Sequence, residues 1–134
     1  MLTVEITSFS FKKGIPTDTS GNGGGFVFDC RALPNPGRYK EYAEVNGTQQ
    51  PVIDFFKDHP IECEEFLSGI YKITSQSVKN YIERDFSHLM INFGCTGGQH
   101  RSVYFAEKTA EYLKNKFQIN VTVNHREQNI YKEL

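Results

Sequence analysis

Alternating hydrophobic and polar positions run through two segments of the chain, and this period of two predicts β-strands. One segment is Val4–Phe11, which is rich in β-branched residues, and the other is Ile119–Val123. Two short apolar runs, Phe26–Cys30 and His88–Phe93, predict two further strands. The second run is apolar almost throughout, as is typical of a strand that is covered on both faces of its sheet.

Hydrophobic residues spaced three and four positions apart predict helices elsewhere. A long helix is predicted over Ile61–Arg84 and another over Val103–Phe117. Pro51 predicts the start of a short helix through Phe56, because proline suits the first helical turn. The buried face of the long helix is predicted to carry Phe66, Ile70, Ile73, Ser77 or Val78, and Tyr81.

The order of these elements predicts an α/β fold, with a small, mostly parallel sheet flanked by helices and a strand order that the pattern leaves open. Strand, helix and strand between His88 and Val123 form a βαβ unit. The run Gly23–Gly25 is predicted to be a connector, because no Lys-Ser/Thr pair follows it as a P-loop requires. Prolines make Leu33–Gly37 a loop of fixed shape. A single domain is expected over residues 1–134.

The loop between the predicted strand and helix, Asn92–Ser102, has the features of an anion site. Ligands of α/β sheets lie beyond the carboxyl ends of the strands, where this loop is expected. Amides at a helix start lack acceptors and carry partial positive charge, so they favour a phosphate or sulfate group. Arg101 would grip two oxygens of that group. Further donors are the Thr96 and Ser102 hydroxyls and the N–H groups of Gly97 and Gly98.

Three interpretations of this loop stay open. It is a plain glycine-rich turn, although it holds more polar groups than a turn needs. Alternatively, it is a cysteine-dependent phosphatase loop, because Cys95, Arg101 and Ser102 match the Cys-x5-Arg-Ser/Thr spacing. Asp29 is then the candidate general acid. Gly94 stands where such phosphatases usually have a histidine before the cysteine. Or it binds a phosphorylated small molecule with no catalytic residue, cofactor or metal, the interpretation favoured here.

Composition restricts the partners. The 15 Lys+Arg and 16 Asp+Glu residues give a net charge of -1, so nucleic acid would have to be bound by a local basic face. No apolar run approaches the roughly 20 residues of a membrane helix, and we expect no membrane partner. The first residues lack a signal-peptide pattern. Three widely spaced cysteines predict a reduced, cytoplasmic protein.

Three polar motifs give the chain a specific resemblance. They are Ser8–Pro16 (SFSFKKGIP), Phe28–Pro36 (FDCRALPNP) and Gly94–Tyr104 (GCTGGQHRSVY), and the pair His125-Arg126 is a fourth, shorter element. In this order they resemble the C-terminal domain of the RapZ RNase adapter family, over nearly the whole chain. The family's N-terminal P-loop domain has no counterpart here, since G-x-x-x-x-G-K-[ST] does not occur, so nucleotide hydrolysis is not expected.

The resemblance implies a domain, similar to a phosphofructokinase subdomain, that senses an amino-sugar phosphate, glucosamine-6-phosphate. Lys13 stands where the family commonly has histidine, so a permanent cation replaces a titratable imidazole. A cation at this position is compatible with anion binding but can alter which ligand is preferred. The first motif turns toward the pocket of the other two. The residues that the resemblance assigns to this pocket are Thr96, Gly97, Gly98, His100, Arg101, Arg31 and Asn35, with Lys12 and Lys13 beside them.

For some members the resemblance also implies binding of small regulatory RNAs by a tetrameric adapter, and hence a homo-oligomer. Tyr39, Tyr42 and Tyr131 are candidates for stacking on bases, or are half-buried surface residues. The basic residues that would form an RNA-binding face, or are equally solvated surface charges, are Lys12, Lys13, Arg38, Lys40, His125 and Arg126.

Overall fold

Five strands form one mixed sheet in the computed structural model, which describes all of residues 1–134. They are β1 (Thr3–Ser10), β2 (Gly25–Asp29), β3 (His88–Cys95), β4 (Asn120–His125) and β5 (Ile130–Glu133). The strand order is β2-β3-β1-β4-β5. The first four strands are parallel, and β5 pairs antiparallel with β4. The predicted α/β fold with a mostly parallel sheet is confirmed.

Three helices accompany the sheet: α1 (Gln50–Lys57), α2 (Pro60–Glu83) and α3 (Arg101–Lys116). Each of the first two has a proline in its first turn, as predicted for α1. Four short 3-10 turns occupy Phe11–Lys13, Pro36–Arg38, Lys40–Tyr42 and Arg126–Gln128. No helix is both long enough and apolar enough to cross a bilayer.

A core of 23 buried residues joins one face of the sheet to the three helices. On that face β1 contributes the apolar side chains of Val4 and Ile6. Phe56 of α1 and Phe105 of α3 meet edge to face within the core, with ring centroids 5.4 Å apart. Both faces of β3 are buried from Leu89 onward, as its apolar run predicts. The core therefore fixes the helices over the parallel strands and leaves their carboxyl ends free to carry loops.

The segment that connects β1 to β2 returns from the carboxyl edge of the sheet to its amino edge, because the two strands run in the same direction. Asp18 organises this segment: its carboxylate accepts the N–H groups of Gly23 at 3.0 Å and Gly24 at 3.4 Å. The same carboxylate lies 3.7 Å from Nδ1 of His88, at the start of β3. The glycine run is a connector, in agreement with the prediction.

Two features of the fold differ from the sequence-based expectations. On α2, Ile70 and Val78 are buried as predicted, whereas Ile73 is 46% exposed; the buried residues of this helix are Cys63, Leu67, Ile70, Thr74, Ser75 and Val78. The fifth strand was not predicted, because Ile130–Glu133 lies at the edge of the sheet, where backbone pairing with β4 rather than burial of an apolar stripe holds it.

Candidate functional site

The second and third sequence motifs meet at the carboxyl ends of β2 and β3. The backbone N–H of Cys30 donates to the carbonyl of Gly94 at 2.8 Å, which places the loop after β2 beside the loop after β3. A cleft of about 620 Å³ opens there. Its walls come from the loop after β2, the α1–α2 junction and the start of α3: Arg31, Ala32, Leu33, Pro34, Asn35, Arg38, Tyr39, Phe55, His59, Glu62, Thr96 and Arg101.

Arg101 is the central cation of this cleft. It is only 6% exposed, and its Nη1 donates to the carbonyl oxygens of Arg31 at 2.8 Å and Leu33 at 3.3 Å. A guanidinium carries five N–H donors, and Nε and Nη2 of Arg101 make no hydrogen bond within the protein. Arg101 therefore holds the loop after β2 in place and keeps donors available for a ligand.

Arg31 is a fixed cation at the rim. Its Nε and Nη2 bind the two carboxylate oxygens of Asp29 at 2.9 and 2.8 Å, and its guanidinium lies 4.1 Å from the ring centroid of Phe11. The hydrogen bond from Arg31, with a smaller contribution from Arg101, lowers the pKa of Asp29. Asp29 is therefore ionised at neutral pH and holds no proton to donate as a general acid.

Asn35 and Arg38 complete the cationic wall. The side-chain oxygen of Asn35 accepts the N–H of Gly37 at 2.9 Å and caps the following 3-10 turn, so only its amide NH2 remains for a ligand. Arg38 is exposed and makes no ion pair. Arg38, which the resemblance places on an RNA-binding face, lines the cleft together with Thr96 and Arg101.

The opposite wall was not anticipated from the sequence. Phe55 of α1 packs on His59, with ring centroids 4.9 Å apart, and on Tyr39 at 6.2 Å. His59 Nδ1 lies 3.6 Å from the Glu62 carboxylate at the start of α2. These residues reach the cleft because α1 and α2 turn at Asp58 and His59 beside the loop after β2. No motif in the sequence marks them, since the contact depends on tertiary packing alone.

The glycines of the third motif shape the loop and do not line the cleft. Ser10 Oγ donates to the Thr96 carbonyl at 2.6 Å, and Gln128 Nε2 donates to the Gly98 carbonyl at 3.2 Å. Gly98 has φ +66°, and a Cβ there would lie 2.9 Å from the backbone nitrogen of Ser10. Of the predicted Thr96–Gly98 donors, Thr96 alone reaches the cleft, while Gly97 is exposed elsewhere on the loop.

Three further residues of this motif point into the protein. His100 Nε2 donates to the Tyr42 carbonyl at 2.8 Å. Ser102 is fully buried, and the Cys95 thiol, 3% exposed, donates to Ser102 Oγ at 3.1 Å. The Ser102 amide in turn donates to the Cys95 sulfur at 3.4 Å. His100 and Ser102 thus stabilise the start of α3. Neither these two residues nor Cys95 lines the cleft. The predicted ligand contacts of His100 and Ser102 are therefore not found in the structure.

Lys12 and Lys13 lie on the other side of the same loop. Both are exposed on the 3-10 turn after β1, and neither lines the cleft. Nearby, Arg126 Nη2 donates to the Gly14 carbonyl at 2.7 Å, and Glu127 accepts the Ser10 amide. Burial raises the pKa of Glu127, but Arg126, the Ser10 amide and Lys13 outweigh this effect and lower it overall. Lys12, Lys13 and Arg126 therefore form a separate group, called here the basic cluster.

His125 is not a surface residue. It is fully buried at the end of β4, with Nδ1 2.7 Å from Ser8 Oγ and Nε2 2.7 Å from the Glu107 carboxylate. Lys132 Nζ binds the same carboxylate at 2.6 Å. The predicted RNA contact of His125 is thus replaced by a buried network. Lys40, the remaining member of the predicted face, is exposed in the turn Lys40–Tyr42.

Comparison with known proteins identifies the family of the chain. Residues 2–129 match the family model described as the RapZ C-terminal domain. The chain belongs to this family. A nucleotide-binding protein of Pseudothermotoga lettingae is 40% identical over 126 residues, and one of Hahella chejuensis is 39% identical over 126 residues. Each alignment covers 94% of this chain and 42% of the relative. A nucleotide-binding protein of Staphylococcus epidermidis is 38% identical over 128 residues, 96% of this chain and 40% of the relative.

The chain therefore spans about two fifths of the length of the curated relatives that it matches. All three sequence motifs and the pair His125-Arg126 fall within the matched residues 2–129. The family assignment made from those motifs is confirmed.

Proposed function

We propose that this domain binds a phosphorylated amino sugar, with glucosamine-6-phosphate as the reference ligand, and that its bound state is sensed by a partner. The observation that supports this proposal best is the convergence of Arg31, Arg38 and Arg101 on one cleft in a chain whose net charge is -1. Guanidinium groups bind phosphate oxygens in pairs, and a partly buried guanidinium does so with less screening by water.

The rest of the cleft suits the sugar. The Thr96 hydroxyl lies beside the arginines and supplies a neutral donor to the phosphate. Tyr39 and Phe55 offer aromatic surface to the ring of the sugar. Glu62, on the opposite wall, is an acceptor for hydroxyl or ammonium groups. A ligand with an anionic end and a cationic substituent would be complementary to both walls at once.

Calorimetric titration of the purified chain with glucosamine-6-phosphate tests the proposal. Glucose-6-phosphate and glucosamine serve as controls for the amino group and the phosphate. We expect saturable heat with the phosphorylated sugars, and at least a tenfold loss of affinity in Arg38→Ala, since a charge-assisted hydrogen bond contributes about 1.5–3 kcal/mol. Arg84→Ala, at the distant end of α2, is the matched control. If no sugar phosphate gives saturable heat with the folded wild type, the proposal is wrong.

The relatives are named nucleotide-binding proteins. A nucleotide is therefore the competing ligand for the same cleft, and ATP belongs in the same series of titrations. Tighter binding of ATP than of any sugar phosphate, lost in Arg38→Ala, would reassign the cleft. Light scattering of the same samples tests the proposed homo-oligomer.

A further inference from the structure

The surface of α2 and α3 contains two adjoining grooves of about 570 and 390 Å³, neither of which shares a lining residue with the cleft. Tyr71 and Tyr112 line both grooves and stack on each other, with centroids 3.9 Å apart and ring planes 1° from parallel. The Tyr71 hydroxyl donates to the Lys108 carbonyl at 3.3 Å. Because α2 and α3 each supply one ring, the pair forms an aromatic wall between the two helices.

Lysines without ion-pair partners surround this wall. Lys72 lines the larger groove, Lys108 the smaller, and Lys116 both. None of the three has a carboxylate oxygen within 4.0 Å. Lys116 Nζ donates to the Tyr112 hydroxyl at 3.2 Å and is 5.5 Å from the centroid of that ring. Its ammonium group is therefore held at the edge of the aromatic wall.

Ser75 adds a buried polar group to the larger groove. The residue is 9% exposed, and its buried Oγ lies next to the Tyr112 hydroxyl. The Ser75 hydroxyl and, to a smaller extent, Lys116 lower the pKa of Tyr112. The floor of the groove thus combines hydroxyl donors with a nearby ammonium group.

We propose that the larger groove is a second ligand site, for a small aromatic carboxylate. Its charged lining is Lys72, Lys116 and Glu64, two cations and one anion, which suits a monoanion better than a dianion. The carboxylate pairs with Lys116 Nζ, and the aromatic ring packs on the Tyr71–Tyr112 wall. The groove shares no residue with the Arg101 cleft, so this inference is independent of the sugar-phosphate proposal.

Protein-observed NMR of the full chain with benzoate as the probe tests this site. We expect saturable shifts of backbone amides confined to residues 67–75 and 112–116. Benzamide, the neutral isostere, and acetate, the anion without a ring, should each bind at least about tenfold more weakly, since each lacks one of the two contacts. Equal binding of benzamide, the absence of saturable benzoate shifts, or shifts confined to the Arg101 cleft would refute the proposal.

Variants separate ligand contacts from folding. Lys116→Met should weaken benzoate binding about tenfold, whereas Lys79→Met, on an exposed lysine of α2 outside the groove, should not change it. Lys72→Met, at the second cation of the groove, should weaken binding severalfold without lowering the midpoint of thermal unfolding, because Lys72 is exposed and forms no ion pair. Unchanged benzoate affinity in both Lys116→Met and Lys72→Met would overturn the assignment.

Discussion

Arg101 Nη1 donates to the backbone carbonyl of Arg31 at 2.8 Å. The arginine of the third sequence motif therefore fixes the loop formed by the second motif, Phe28–Pro36. One side chain thus has two roles, since its remaining N–H groups face the cleft. Substitutions of Arg101 consequently report on folding as well as on ligand binding. Arg38, which lines the same cleft without a protein partner, reports on binding alone.

Arg101→Ala is expected to destabilise the domain by about 1–3 kcal/mol, because the partly buried Arg31 carbonyl and the buried Leu33 carbonyl lose their donor. Urea unfolding of Arg101→Ala, Arg38→Ala and the wild type measures this difference. Arg38→Ala should unfold at the wild-type urea concentration. Equal stability of all three proteins would show that the contacts of Arg101 with the loop are energetically unimportant.

The phosphatase alternative for the Cys95–Ser102 loop predicts turnover that depends on the thiol. We expect no hydrolysis of p-nitrophenyl phosphate by the reduced wild type, because the thiol is buried against Ser102 and Asp29 is ionised. Absorbance of released p-nitrophenolate, compared between wild type and Cys95→Ser, is the measurement. Turnover by the wild type that disappears in Cys95→Ser would restore the catalytic interpretation.

The buried network around His125 should make stability depend on pH through Glu107. Burial raises the pKa of Glu107, but hydrogen bonds from His125 and Lys132 outweigh burial and leave the pKa below its usual value. A carboxyl whose pKa is lowered by folding stabilises the protein above the pKa of the unfolded chain, and this contribution is lost as the pH falls through the folded value.

Glu107→Gln should therefore cost about 1–3 kcal/mol at neutral pH, and the difference from wild type should shrink below about pH 4. Urea unfolding across this pH range measures the effect. Glu111→Gln, an exposed carboxylate on the same helix without an ion pair, is the matched control. A difference between Glu107→Gln and wild type that does not change with pH would contradict the proposed charge state.

RNA binding is expected to depend on the basic cluster, if this chain shares that property with the RNA-binding members of its family. Double substitution of Lys12 and Lys13 by alanine should reduce the slope of log affinity against log salt by about 1.4 for single-stranded RNA, as two phosphate contacts are lost. Filter binding over a salt series is the measurement, with Lys79→Ala as the control. An affinity that does not vary with salt would contradict electrostatic RNA binding.

The sequence was sufficient to predict the fold class and which of the site residues lie close together. Thr96, Arg101 and Arg31 follow parallel strands, and the carboxyl ends of such strands meet at one edge of a sheet. The inward direction of His100 and Ser102 was not predictable, because it depends on where α3 begins, and pattern analysis placed that start two residues late. The contribution of His59 and Glu62 depends on how the α1–α2 turn packs, which no local pattern encodes.

The position of β1 at the centre of the sheet has a consequence for biosynthesis. Its partners come much later in the chain, since register pairs Thr3 with both His88 and Asn120. During translation the first strand has no partner until residues 88–95 have left the ribosome, and it gains its second partner only with residues 120–125, so the sheet is completed late in synthesis. A sugar phosphate that binds only the finished cleft would then favour the completed fold, by about 2.7 kcal/mol at a concentration ~100 times its Kd. The concentration of this sugar phosphate would therefore influence how much of the newly made domain reaches the folded state.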